Sequence, residues 1–203
     1  MSLGPTDVGR TVNEEVVTFL STRRSVKAGL LGDPGPSAEE LDRILRIGTR
    51  VPDHKKLTPW RFIVFQGRAR ERMGEVFAAC CRTESDPDAS DMRLATERAR
   101  FLRAPLVIAL ISVKVEKPGV PEFEQVLSTG AVGLSVCLAA NALGYGSQWL
   151  TEWISTSRGV KESLELQETE QIAGFIYIGS ALERLADRDR PELDRIVTHW
   201  PSQ

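Results

Sequence analysis

Apolar residues recur at helical spacing in some stretches of this chain and form unbroken runs in others. Val16, Val17, Phe19 and Leu20 give one face of a first helix over 12–22, with Thr11 and Glu14 as a capping-box pattern at its start. Arg23-Arg24-Ser25-Val26-Lys27 follows, then a Gly/Pro-rich passage over 29–36. Ser37 and Glu40 form a second capping box, opening a helix with Leu41, Ile44, Leu45 and Ile47 on one side. Pro52 ends it, because the residue before a proline avoids helical backbone. A loop over 52–59 leads into Trp60-Arg61-Phe62-Ile63-Val64-Phe65, a strand. Helices are expected over 69–81 and 92–102, separated by a polar, mobile surface loop at 84–90.

The second half is more apolar. The run over 105–115 reads as a buried strand, since Leu106 to Ile111 has no polar residue. Pro121 suits the first turn of a long helix reaching Leu143, about 34 Å at 1.5 Å per residue. Gly130, Ala131, Gly133, Ser135, Ala139 and Ala140 make its later turns small and apolar nearly all round, which implies burial on every side and close packing. Gly144 stops it. A strand or strand-like turn over 145–150, a helix over 158–166 and a core strand over 172–178 follow. A charged arm then ends in Ile196, Val197 and Trp200. The irregular alternation of elements, with no internal repeat and no Gly-x-Gly-x-x-Gly after a first strand, predicts an α+β fold rather than a Rossmann unit. One domain over 1–203 is expected, with a flexible N-terminus at 1–11 and a C-terminal arm at 187–203.

Composition removes several function classes. With 26 Lys+Arg against 28 Asp+Glu, the chain has no overall attraction for nucleic acid. Twenty of those cations are Arg, so local sites for phosphate or carboxylate remain open. Three Cys and two His, with no metal-ligand spacing, argue against a disulfide framework and a zinc site. No leader is visible at the start, and the longest apolar stretches, 105–115 and 131–143, are too short for a bilayer. No membrane partner is expected, and a cytoplasmic location is.

Three segments carry candidate chemistry. Arg23, Arg24 and Ser25 put two guanidiniums and a hydroxyl at a helix end, suited to a phosphate, although taken alone such a pair reads first as a solvated basic turn. Pro52-Asp53-His54-Lys55-Lys56-Leu57-Thr58-Pro59-Trp60 is a proline-bracketed loop, either a rigid connector or a platform on which His54 donates to a ligand. Gly144-Tyr145-Gly146-Ser147-Gln148-Trp149 allows close backbone approach to a flat ligand, or is a helix stop followed by a strand. Gly133-Leu134-Ser135-Val136-Cys137 misses the nucleophile elbow at its last position and lies within a helix, which excludes a serine hydrolase.

These segments, with Arg50-Val51 before the loop and Ile172-Ala173-Gly174-Phe175-Ile176-Tyr177-Ile178-Gly179 near the end, occur in an order that resembles the FMN-dependent nitroreductase family, most of all its YdjA-like subgroup. The resemblance covers about residues 14 to 200. It implies a mixed or antiparallel sheet flanked by helices, in a homodimer with swapped C-terminal arms and FMN at the subunit interface. It places Arg23, Arg24 and Ser25 on the flavin phosphate and ribityl chain. Arg50 and His54 would reach flavin from the partner subunit, and Trp149, Leu150 and Thr151 would line its ring or phosphate end. Ala139, Ala140, Asn141, Ala142, Leu143 and Gly144 would lie near NAD(P)H. Lys56 and Thr58 depart from the Asn and Gln of the wider family, and Leu150 from the subgroup's Arg. The implied activity is ping-pong transfer from NADH or NADPH through FMN to a nitroaromatic, quinone or similar small acceptor, without a catalytic side chain or a metal. The competing expectation is a non-catalytic, flavin- or ligand-binding dimer on the same scaffold.

Overall fold

The computed structural model describes residues 11–183 and 185–200. The backbone divides into two compact units: residues 25–183, and a smaller unit built from both chain ends, 1–24 and 184–203. Most of the expected flexible N-terminus, and the last three residues of the arm, lie outside the described residues.

In the larger unit, helices α2 (Ala38–Gly48), α3 (Arg68–Cys80), α4 (Asp91–Arg98), α5 (Glu122–Ala142) and α6 (Arg158–Ser163) surround five strands. The strands are β1 (Leu31–Gly32), β2 (Trp60–Gln66), β3 (Leu106–Val113), β4 (Gly146–Leu150) and β5 (Glu170–Ala181). Every pairing is antiparallel. β3 lies between β2 and β5, and β5 also pairs with β4 and, through its last residues, with β1. This is the α+β architecture expected from the sequence.

Strand alternation explains the layers. Leu106, Ile108 and Leu110 of β3 and Ile176 and Ile178 of β5 share one face, packed with Ile44 of α2 and Val132 and Val136 of α5. The opposite face carries Phe65, Phe175 and Tyr177, which meet Phe101 at ring-centroid distances of 5.1, 5.2 and 5.9 Å. Phe77 of α3 closes that cluster at 4.7 Å from Phe101. A strand covered on both faces needs no polar alternation, which is why residues 106–111 are continuously apolar.

Boundaries shift where side chains cap backbone. Ser37 forms the expected capping box with Glu40. The first helix, α1 (Glu14–Thr22) of the smaller unit, is capped instead by Asn13, whose side chain accepts from Val16 N–H. The expected 84–90 loop begins with a π-turn over Cys81–Ser85. Glu84 is anchored there, accepting from Gly159 N–H at 2.6 Å and Arg158 N–H at 3.1 Å at the start of α6. Helix α5 is long and apolar enough, by length and composition, to cross a membrane. Here it lies on the sheet, and at Gly48 a Cβ would stand 2.4 Å from Val136 Cγ2, so α2 and α5 approach through a glycine. Burial on every side is not realised in the single chain: Phe123, Val126, Leu127 and Leu134 are exposed.

Candidate functional site

Strand β4 is the frame of one part of the site. Val26 N–H donates to Ser147 O at 2.9 Å, and Ala28 N–H donates to Gln148 Oε1, so the segment entered at Ser25 runs beside β4. The Trp149 indole lies between two glycines. A Cβ on Gly133 would stand 2.7 Å from the ring, and one on Gly174 2.2 Å from Nε1. Its N–H donates to Ala173 O at 3.2 Å. Trp149 is therefore a packing block that holds the strand in place, half-buried, while Leu150 is half-buried and Thr151 exposed.

The next residue, Glu152, has φ 53° and ψ 176°. An L-residue there is strained by roughly 1–3 kcal/mol. Its side chain is held from three directions. Arg100 Nη1 donates to Oε1 at 2.5 Å, Arg103 Nη2 to Oε2 at 2.7 Å, and the Tyr177 hydroxyl lies 3.3 Å from Oε2. Arg103 also donates to the Tyr177 hydroxyl at 2.7 Å, with its guanidinium over the ring. Arg100 makes a bidentate pair with the fully buried Glu97, which accepts from Trp153 Nε1 as well. Burial, and then the Glu152 charge, push the Tyr177 hydroxyl well above its ordinary value. Burial opposes the Arg103 charge, yet hydrogen bonding to Glu152 leaves its pKa raised. Sequence reading missed this network: Arg100, Glu152 and Tyr177 have no local spacing in common.

The loop between α2 and β2 holds Arg50 and His54. Asp53 organises it, accepting from Leu57 N–H at 3.1 Å and Thr58 N–H at 2.8 Å. Lys55, Lys56 and Thr58 all have positive φ, and Lys55 Nζ donates to Pro118 O at 3.0 Å. His54 Nδ1 and Glu124 Oε2 are 2.6 Å apart, both side chains about half exposed. They face an open cleft of about 300 Å³ lined by Pro52, Leu127, Ser128 and Ala131. Glu124, in the first turn of the long helix, is not among the residues that the sequence singles out. Arg50 is exposed just after α2, where its backbone N–H donates to Ile47 O.

The segment Ala139 to Gly144 is the end of α5. Ala139 and Ala140 are buried in the core cluster, whereas Ala142 and Gly144 are exposed, Gly144 at φ 89°. Asn141 Nδ2 ties the helix end to β4, donating to Tyr145 O at 2.9 Å and to Ser147 Oγ at 3.1 Å.

Arg23 and Arg24 belong to the smaller unit. Arg23 caps α1, its N–H donating to Phe19 O at 2.9 Å. Its Nε is buried with no hydrogen-bond partner among the described residues. A buried donor left unmade costs roughly 1–3 kcal/mol, so the position suits an acceptor such as a phosphate oxygen. Asp187 of the same unit has its carboxyl held below the usual range by the Arg188 N–H, the Arg190 side chain and the Arg24 charge. Thus the structure joins Ser25 to the β4 segment through Val26, and His54 to Glu124 at the cleft. The buried Arg23 N–H suits an anionic group that brings an acceptor oxygen, such as the phosphate of a cofactor.

The sequence model of the nitroreductase family matches residues 20–180, which include both the strained Glu152 turn and the proline-bracketed loop. The chain belongs to the nitroreductase family. It is 36% identical over 188 residues to the YdjA protein of Escherichia coli K12, provisionally named an NAD(P)H nitroreductase, covering 92% of this chain and all of that one. A similarly named Haemophilus influenzae protein is 31% identical over 183 residues, covering 89% and 95% of the two chains. Among solved structures, a nitroreductase-like protein from Bacillus cereus superposes with a TM-score of 0.76 at 19% identity, covering 94% and 98%. The FMN- and NADPH-dependent nitroreductase NfnB of Sphigopyxis sp. strain HMH gives 0.71 at 20% identity, covering 90% and 97%. These two show the family fold.

Proposed function

We propose that the protein is an FMN-dependent oxidoreductase, taking hydride from NADH or NADPH and passing electrons to a nitroaromatic, quinone or similar small acceptor by alternating half-reactions. The observation that carries this reading is the buried, unpartnered Nε of Arg23 at the head of Arg23-Arg24-Ser25, in a chain of the nitroreductase family. Bound FMN supplies the redox chemistry. The residues of this chain bind and orient: Arg23, Arg24 and Ser25 hold the phosphate and ribityl chain, and Trp149, Leu150 and Thr151 line the ring or the phosphate end. Arg50 and His54 reach the flavin of a second copy. Ala139 to Gly144 lies near the nicotinamide cofactor, and Ala142 and Gly144 are its most exposed residues.

The same reading makes the working molecule a homodimer of one nitroreductase-like domain per chain, with the 187–203 arm exchanged. Support comes from unpartnered apolar side chains on three segments: Phe123, Val126 and Leu127 of α5, Val16 and Leu20 of α1, and Ile196 and Trp200 of the arm. The three cysteines are buried and form no disulfide among the described residues, which suits the cytoplasm.

The test is spectroscopic. The purified protein is expected to be yellow, to bleach anaerobically with NADH or NADPH, and to recover colour with a small acceptor. A flavin that binds and never bleaches supports the non-catalytic dimer instead. Arg23→Ala is expected to weaken FMN binding by about tenfold or more, the loss of one charge-assisted contact. Wild-type affinity in that variant puts the phosphate elsewhere.

A further inference from the structure

We propose that Glu152 is a positioning residue for the flavin site: its buried clamp holds the backbone after β4 in a conformation that its own side-chain type disfavours. The inference rests on the reading that Trp149, Leu150 and Thr151 line the flavin. Three observations carry it. First, φ 53° with ψ 176° is a combination in which a Cβ is crowded and which glycine adopts freely. Second, the carboxylate is only 20% exposed and is engaged by Arg100, Arg103 and Tyr177 together, more than a surface turn requires. Third, the strain falls directly after the three residues read as flavin-lining, and before Trp153, whose indole N–H is fixed on Glu97.

A clamp that served only the fold would be expected over unstrained backbone, where its full energy stabilises the native state. Here part of that energy is consumed in keeping one peptide turned. Strain persists only where the surroundings over-determine it, and it concentrates where backbone must be presented to a ligand. The clamped turn sets the direction of the Thr151 and Glu152 peptide groups at the end of β4. Glu152 touches no ligand in this scheme, because both carboxylate oxygens are taken by the protein.

The test separates side-chain charge from backbone conformation. Glu152→Ala removes the clamp and keeps the strain, so the turn relaxes. Glu152→Gly removes the clamp and the strain together, so the turn remains accessible. FMN affinity is read by flavin fluorescence quenching, the bound flavin's visible absorbance reports its environment, and thermal denaturation reports the fold. The expected result is about a tenfold loss of FMN affinity with an altered flavin spectrum in Glu152→Ala. Glu152→Gly is expected to bind within about threefold of wild type and to restore the spectrum, although both variants melt earlier. Should Glu152→Ala not fold, Glu152→Gln decides: it keeps the strain with a weakened clamp, so it should bind FMN more weakly than Glu152→Gly. Glycine as weak as alanine or glutamine overturns the proposal, and so does unchanged affinity in Glu152→Ala. Wild-type protein that binds no FMN fails at an earlier arm and overturns the flavin reading itself.

Discussion

The loop after α2 and the end of β4 both hold non-glycine residues at positive φ, as does Glu165 after α6, but the loop and the strand end are held by different means. In the loop after α2, Lys55, Lys56 and Thr58 sit at φ 51–58°, where the Asp53 carboxylate accepts from backbone four and five residues on and the exposed Lys55 ammonium alone reaches further, to Pro118 O. At the end of β4, Glu152 is held by Arg100 and Arg103, about fifty residues away in the chain, and by Tyr177 in β5. The first arrangement is exposed and water competes for every group, so each contact contributes little. The second is largely dry, so water does not replace a lost contact and the remaining partners carry the charge alone. A turn that short-range bonding can form is easily made and easily altered. A turn that depends on the tertiary core is stiff and sensitive to distant change.

That contrast can be broken in four ways. The largest effect is expected from Arg100→Ala, which removes the bidentate partner of the fully buried Glu97, leaving it Arg93 and Trp153, and one of the two guanidiniums on Glu152. Destabilisation of about 2–4 kcal/mol in urea unfolding is expected. A loss below about 1 kcal/mol would mean that the clamp behaves like a surface pair.

Alkaline pH should loosen the same clamp. The Tyr177 hydroxyl is raised in the folded state, so above the ordinary tyrosine value near 10 the unfolded chain releases a proton that the folded chain keeps. The unfolded state then binds fewer protons, and stability falls as pH rises beyond 10. Tyr177→Phe should flatten this fall in a comparison of melting temperature between pH 9 and 11, both approximate bounds around that value. An equal fall in wild type and variant would remove Tyr177 as its source.

A smaller effect is expected in the loop. Asp53→Ala loses two backbone hydrogen bonds at an exposed turn and should cost about 1–2 kcal/mol by denaturant unfolding. A cost equal to that of Arg100→Ala would erase the distinction between the two turns. The smallest is Glu124→Gln, which breaks the half-exposed pair with His54 and should change stability by less than about 1 kcal/mol. The melting temperature of this variant should hardly move, and a shift as large as that of Asp53→Ala would show that the cleft pair is a structural tie.

The same division describes what each level of organisation decided. Sequence by itself determined the elements and their order: the Ser37–Glu40 capping box, the continuous apolar run of β3, the long helix stopped at Gly144, and the family to which these belong. Those features are legible because helix caps, buried strands and glycine stops act over a few residues. The α+β class followed, and the same reading singles out Arg23-Arg24-Ser25, the His54 loop and the β4 segment as the places proposed for chemistry. Sequence placed the first helix cap at Thr11, where Asn13 serves, and treated Glu84 as part of a polar loop, where it caps α6. Only the tertiary structure decided that Trp149 is wedged between Gly133 and Gly174, that Glu124 meets His54, and that Glu97, Arg100, Arg103, Glu152 and Tyr177 form one network. Those partners lie between three and eighty residues apart. Nothing in the spacing of charges along a chain says which of them the packing of helices on a sheet will enclose together, away from water, where pairing becomes obligatory.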